Sequence, residues 1–175
     1  MEQALTTERV ATSEKEKLMQ LVGFNIGKER FGVDILTVQE IIRSAPITAV
    51  PDSPDFIEGV INLRGSIIPV IDLRKRLRLY KPETHQRSDS WIIILNINNR
   101  VTGFIVDKVT QVLKIETGTI EPPPDIVVAG LRSQYIRGVC KIDKKLLILL
   151  DFDQILLIDE IRELKTINDP RKLTD

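Results

Sequence analysis

Few residues of this 175-residue chain are of types that do covalent chemistry, and their spacing is poor for it. The single histidine, His85, sits among Thr84, Gln86 and Arg87. An imidazole is well suited to general-base work near neutral pH, but this polar setting reads as a solvated linker. The single cysteine, Cys140, lies in an apolar stretch between Val139 and Ile142. A reactive thiolate needs a cationic or histidine neighbour to lower its pKa, so an inert buried thiol is expected. One cysteine and one histidine also exclude an internal disulfide, a Cys-x-x-Cys site and any metal site with two histidine ligands. Asp72 and Asp151 each end an apolar run, which suits strand ends and helix caps better than a paired acid and base. Asp151-Phe152-Asp153 is too short for a calcium loop and lacks its glycine. Neither nucleotide-phosphate loop nor a G-x-S-x-G elbow occurs. The chain is therefore expected to bind no cofactor and to catalyse nothing.

Two features point instead to surfaces. The first is the basic run from Arg74 through Lys75, Arg76 and Arg78 to Lys81. Its ordinary reading is a solvated helix face; the alternative is a nucleic-acid-binding module built on residues 74–81. Only Tyr80 offers an interleaved aromatic, and single-strand platforms use several. Lysine plus arginine number 25 and so do aspartate plus glutamate, whereas a phosphate clamp needs a net basic field. The second feature is Arg64 at a hairpin tip, ordinarily a solvated turn residue. Val38, Glu40 and Ile41 form a mixed apolar and acidic stretch in the same half. If Glu40 folds near Arg64, an ion pair would hold the rigid guanidinium fork beside an apolar groove, giving a partner orientation and specificity.

The elements that carry these residues read as strands. Isoleucine occurs 25 times and valine 14 times, while aromatic residues make up only 5 %, a bias that favours β structure. Residues 1–17 are polar and read as a flexible tail. Residues 18–26 read as a strand, Gly27-Lys28-Glu29 as a turn and residues 30–34 as the returning strand. Residues 46–54 form a connection rich in proline. The clearest hairpin runs over residues 58–73 around Arg64-Gly65, where glycine supplies the positive φ of a tight turn. Pro69 cannot donate to a ladder, so its strand is expected at an edge or bulged there. Leu73, Leu77 and Tyr80 suggest a two-turn helix. Residues 81–89 read as a linker, and Phe152, Ile155 and Leu156 open a helical spacing that runs to Leu164.

The second half repeats the first. Phe56-Ile57-Glu58-Gly59-Val60 matches Tyr135-Ile136-Arg137-Gly138-Val139 at an offset of 79, which also sets Asp72 on Asp151. Ile47, Pro51 and Asp52 match Ile120, Pro124 and Asp125 at an offset of 73. Asp143-Lys144-Lys145 stands where the first half has its Arg64-Gly65 turn. Two β units of about 75 residues are expected. The divisions are a tail at 1–17, units at 18–88 and 89–165, the latter with a terminal helix, and a tail at 166–175.

The run Gly59-Val60-Ile61-Asn62-Leu63-Arg64-Gly65-Ser66-Ile67-Ile68-Pro69-Val70-Ile71-Asp72-Leu73-Arg74 resembles the CheW family of bacterial chemotaxis coupling proteins. Phe31-Gly32-Val33-Asp34-Ile35, Val38-Gln39-Glu40-Ile41, Gly103-Phe104-Ile105-Val106-Asp107 and the close at residues 146–151 agree, so the resemblance spans about 18–160. It implies an all-β fold of two tandem five-stranded barrels of the Src-homology-3 type. It also implies a non-enzymatic scaffold between the cytoplasmic tip of chemoreceptors and the regulatory domain of the histidine kinase CheA, without nucleic acid or membrane insertion. Receptor contacts map to Val38, Glu40, Ile41, Arg64 and Gly65, in a groove between the barrels. Kinase contacts map to Asp125 and Ile126, although some relatives carry a basic residue where this chain has Glu121. The same double barrel occurs within CheA and in adaptors with a receiver domain; a chain ending at Asp175 implies the stand-alone form. No apolar run approaches the ~18 residues of a membrane span, and the implied location is cytoplasmic, at receptor arrays.

Overall fold

The computed structural model describes residues 17–43, 45–79, 89–123 and 133–156. The strands are β1 (Leu18–Ile26), β2 (Glu29–Asp34), β3 (Val38–Ile42), β4 (Ile57–Leu63) and β5 (Ser66–Asp72), then β6 (Trp91–Ile97), β7 (Arg100–Val106), β8 (Lys108–Glu116), β9 (Ile136–Ile142) and β10 (Lys145–Leu150). One-turn helices follow β5 at Leu73–Arg76 and β10 at Phe152–Ile155. Among the described residues the β-branched bias thus gives ten strands and little helix. Residues 1–16 and 166–175 of the expected tails, His85, Tyr80, Asp125, Ile126 and the helix beyond residue 156 lie outside the described residues.

The strands form two five-stranded sheets, ordered β8-β1-β2-β10-β9 and β3-β6-β7-β5-β4. Adding five to each strand number of β1 to β5 converts one order into the other, so the sequence repeat is a repeat of architecture. The expected units at 18–88 and 89–165 do not coincide with the sheets. Each repeat gives its first two strands to one sheet and its last three to the other. The second sheet occupies one continuous stretch from Val38 to Val106, while the first joins β1 and β2 to β8, β9 and β10. Pairing is antiparallel except between β2 and β10 and between β5 and β7, where Ile148 stands against Phe31 and Ile71 against Phe104 in parallel.

Local geometry repeats too. The amide of Asp72 donates to Phe56 O at 2.7 Å, and that of Asp151 to Tyr135 O at 2.8 Å. Thr48 bridges Val60 as Glu121 bridges Val139. Asp72 and Asp151 both cap their short helices through side-chain oxygens. Arg76 and Ile155 are also related by the offset of 79, and Arg76 Nε donates to Ile155 O at 3.0 Å. Its guanidinium lies 4.8 Å from the Phe56 ring and 4.9 Å from the Tyr135 ring. Equivalent residues that touch must lie beside the axis relating the halves, so Arg76 marks that axis.

Alternation along each strand feeds different cores, which is why the runs are apolar on both faces. Ile93, Leu95, Ile71 and Phe104 of one sheet share the main cluster with Phe24, Phe31, Ile148 and Leu150 of the other. The opposite faces hold smaller clusters, one around Ile61, Val70, Ile92 and Ile94 and one around Leu21, Cys140, Leu147 and Leu149. Burying one such aliphatic side chain contributes roughly 1.5–3 kcal/mol.

Two expectations need correction. Pro69 is not in an edge strand: β5 lies between β7 and β4. Pairing with β7 begins at Val70, and the bulge falls across the ladder, between Ile57 and Gly59 of β4. The helix after β5 has one turn, because Arg78 adopts φ 59° and ends it.

Candidate partner-binding site

Arg64 and Gly65 both adopt positive φ, 53° and 88°, as a two-residue hairpin turn of the primed type requires. Asn62 Oδ1 accepts from Gly65 N at 2.8 Å and steadies the tip. Arg64 Nη2 then donates to Glu40 Oε1 at 2.8 Å. Glu40 belongs to β3 at one side of the sheet, and Arg64 joins β4 to β5 at the other. At about 4.8 Å per strand a flat sheet would hold them far apart, so this contact requires the sheet to curl. The Arg64 side chain is 77 % exposed and that of Glu40 26 %. An exposed pair of this kind adds at most about 1 kcal/mol to stability. Its effect is to fix the guanidinium in place.

The pair lies on a cleft of about 750 Å³ whose lining includes Gln39, Leu63, Ile67, Asn99 and Val101. Ile67 presents 55 % of its surface. A second cleft, about 470 Å³, lies where the two sheets meet and is lined by Val33, Asp34, Asn96, Phe152 and Asp153. Asn98 lines both clefts, and its Nδ2 donates to Asp153 Oδ1 at 2.7 Å. Beside the second cleft Leu36 is 89 % exposed. Of the five residues expected to meet a receptor, Glu40, Arg64 and Gly65 gather at one hairpin tip. Val38 and Ile41 are half-buried and pack against the main cluster. Sequence reasoning missed Asn98 and Asn99, although an Asn-Asn pair after an apolar run is a primed-turn signal; both have positive φ.

The first three cations of the basic run, Arg74, Lys75 and Arg76, do not form a freely solvated face, while Arg78 is exposed. Arg74 is 2 % exposed. Its Nε and Nη2 donate to the two oxygens of Asp72 at 3.0 Å each, and its Nη1 donates to Asp107 Oδ1 at 3.3 Å. Burial opposes its charge, but the hydrogen bonds and charges of Asp72 and Asp107 outweigh that, so its pKa is raised. Asp107 also accepts from Gly27 N at 2.6 Å, which ties the network to the β1–β2 turn. Lys75 pairs with Glu58 at 2.7 Å, and this hydrogen bond raises its pKa. Arg76 is committed to the axis between the halves. Cys140 is 3 % exposed and burial pushes its thiol up, as expected of an inert residue. Among the described residues no group of three His, Cys, Asp or Glu side chains is placed to hold a metal. Nor is any described helix long and apolar enough to cross a membrane.

Known proteins resemble this arrangement over most of the chain. Residues 20–160 match the family described as CheW-like domain. A chemotaxis protein CheW of Treponema pallidum is 33 % identical over 159 residues, covering 89 % of this chain and 92 % of that protein. Another, of Klebsiella aerogenes, is 38 % identical over 138 residues, covering 79 % and 81 %. The crystal structure of the scaffolding protein TtCheW from Thermoanaerobacter tengcongensis superposes with a TM-score of 0.73 at 38 % identity, covering 81 % of this chain and 94 % of that one. With its two repeated sheets and its fixed arginine over a cleft, the chain belongs to the CheW-like family of chemotaxis coupling adaptors.

Proposed function

We propose that the chain holds the cytoplasmic tip of chemoreceptors at the Arg64 cleft and the regulatory domain of the histidine kinase CheA at a second surface. It works at receptor arrays on the cytoplasmic side of the membrane, as a scaffold rather than a catalyst. The observation that carries this reading is the Arg64–Glu40 pair, 2.8 Å long and exposed at the rim of a cleft. An apolar receptor helix would lay side chains into the cleft, against Leu63, Ile67 and Val101 of its lining, and Val38 and Ile41 are assigned to the receptor contact beyond that lining. Arg64, Gly65 and Glu40 would set its register. Asp125 and Ile126 are assigned to the kinase contact. Coupling needs only a free-energy difference of a few kcal/mol between the kinase states that the assembly favours.

Arg64→Ala tests the reading. Receptor-dependent control of the kinase should fall, while stability changes by no more than about 1 kcal/mol. Unchanged receptor control at equal protein level would reject the site.

A further inference from the structure

The Arg64 hairpin tip has a structural twin. Under the repeat, Arg64, Gly65 and Ser66 become Asp143, Lys144 and Lys145, and the Asn98–Asn99 turn with Val101 becomes Gly27–Lys28 with Arg30. The backbone is the same: Asp143 and Lys144 have φ 51° and 64°, as Arg64 and Gly65 have 53° and 88°. The side chains are not. Lys28, Arg30, Lys144 and Lys145 share this end of the first sheet with Lys108, which stands across Asn25 from Arg30. Lys28, Lys108, Lys144 and Lys145 are exposed, and Arg30 is half-buried. Among the described residues none of these five makes an ion pair.

Such crowding needs a reason, because like charges within a Debye length of about 8 Å repel. Lysines often guard exposed sheet edges, and that accounts for Lys108 on β8. It does not account for Arg30 on β2 or Lys145 on β10, which are interior strands. Nearby acids do not neutralise the end. Glu29 and Asp143 are outnumbered, and Asp107 already serves Gly27 and Arg74.

We infer that this end of the first sheet is an electrostatic docking surface for an acidic segment of a protein partner. Four of the five cations are lysines, which attract carboxylates over a range of orientations and lack the fork that grips phosphate bidentately. Stacking of nucleic-acid bases needs exposed aromatics, and Phe24 and Phe31 are buried in the main cluster. Seating on a membrane is favoured by apolar side chains beside the cations. The large exposed apolar residues Leu18, Leu36, Ile47, Ile67 and Val112 all lie outside this end. Charge complementarity thus selects carboxylates on a protein. The role extends beyond the Arg64 cleft and does not depend on it.

The test uses the full chain and a labelled 20-residue helical peptide of glutamate and alanine (fluorescence anisotropy, about 50 mM salt). Lys144→Glu with Lys145→Glu should weaken binding about tenfold or more. Lys17→Glu with Lys114→Glu makes the same charge change at the other end of the sheet and should shift it less than about twofold. Lys144→Gln with Lys145→Gln should fall between wild type and reversal, which guards against loss of fold in the reversed pair. Equal losses in the two charge-reversed proteins would overturn the proposal, as would no effect of the glutamine pair or no peptide binding by wild type. Tighter binding to a 20-nucleotide oligothymidine or to phosphatidylserine vesicles would overturn it too.

Discussion

The β4–β5 and β9–β10 hairpins stand in equivalent places, yet chemistry has divided them. Both turn through two residues of positive φ, both end in a capping aspartate, and both bury their returning strand on two faces. Beyond the backbone they part. The first carries Glu58, Arg64, Arg74 and Lys75; the second has Arg137, Asp143, Asp153 and Gln154 at the matching positions. A core position must keep its volume and polarity because interiors are close-packed. A tip is bound only by its turn geometry. Duplication therefore supplies two copies of one support, and each is free to present a different surface.

The largest expected asymmetry lies at Arg74. Replacing it with leucine leaves Asp72, with a side chain 2 % exposed, without its bidentate partner. Loss of about 3–5 kcal/mol is expected in urea unfolding. Asp153→Asn at the matching position should cost less than about 1 kcal/mol. Similar losses at both would erase the distinction. A smaller contrast lies at the bulge glycines. Gly59 has φ 148°, and a Cβ there would meet the backbone carbonyl of Thr48. Gly138 has no positive φ, and there a Cβ would meet the Cγ2 methyl of Ile120 before any backbone atom. Gly59→Ala should cost about 3 kcal/mol or more, and Gly138→Ala about 1–2 kcal/mol. The reverse order would show that the second half is the more rigid.

The smallest contrast depends on pH. Bonding to Glu58 raises the pKa of Lys75. A raised folded-state value means that the stabilisation is complete below the ordinary lysine value of 10.5 and is lost as pH rises through the raised one. The stability gap between wild type and Lys75→Gln should therefore hold at neutral pH and close above that range. Gln154 stands in the matching place of the second half, so its substitution should show no such closing. A gap independent of pH would assign the effect of Lys75 to packing.

Much of this was legible in the chain. Gly27-Lys28 and Arg64-Gly65 announce their hairpins by local turn chemistry, and the motif at 56–60 recurs at 135–139 because the fold repeats. The meeting of Glu40 with Arg64 was open, since their contact depends on how far the sheet curls. Burial of Arg74 was hidden, because Asp107 lies 33 residues away and a run of basic residues ordinarily faces water. The interior place of Pro69 was hidden for a similar reason: strand order is a non-local property, and β5 meets β7 only after β6 intervenes.

The exchange of strands between repeats also sets a timetable for synthesis. β1 and β2 leave the ribosome first, but their neighbours β8 and β10 emerge only after all of the second sheet. At about 5–20 residues per second that interval lasts several seconds. A lone two-stranded hairpin is marginal in water, so Phe24 and Phe31, stacked 5.6 Å apart, stay uncovered until the second sheet forms. The continuous second sheet can close early around them. The nascent chain therefore keeps the outer sides of β1 and β2 unpaired, open to chaperones and to aggregation, until β8 and β10 arrive.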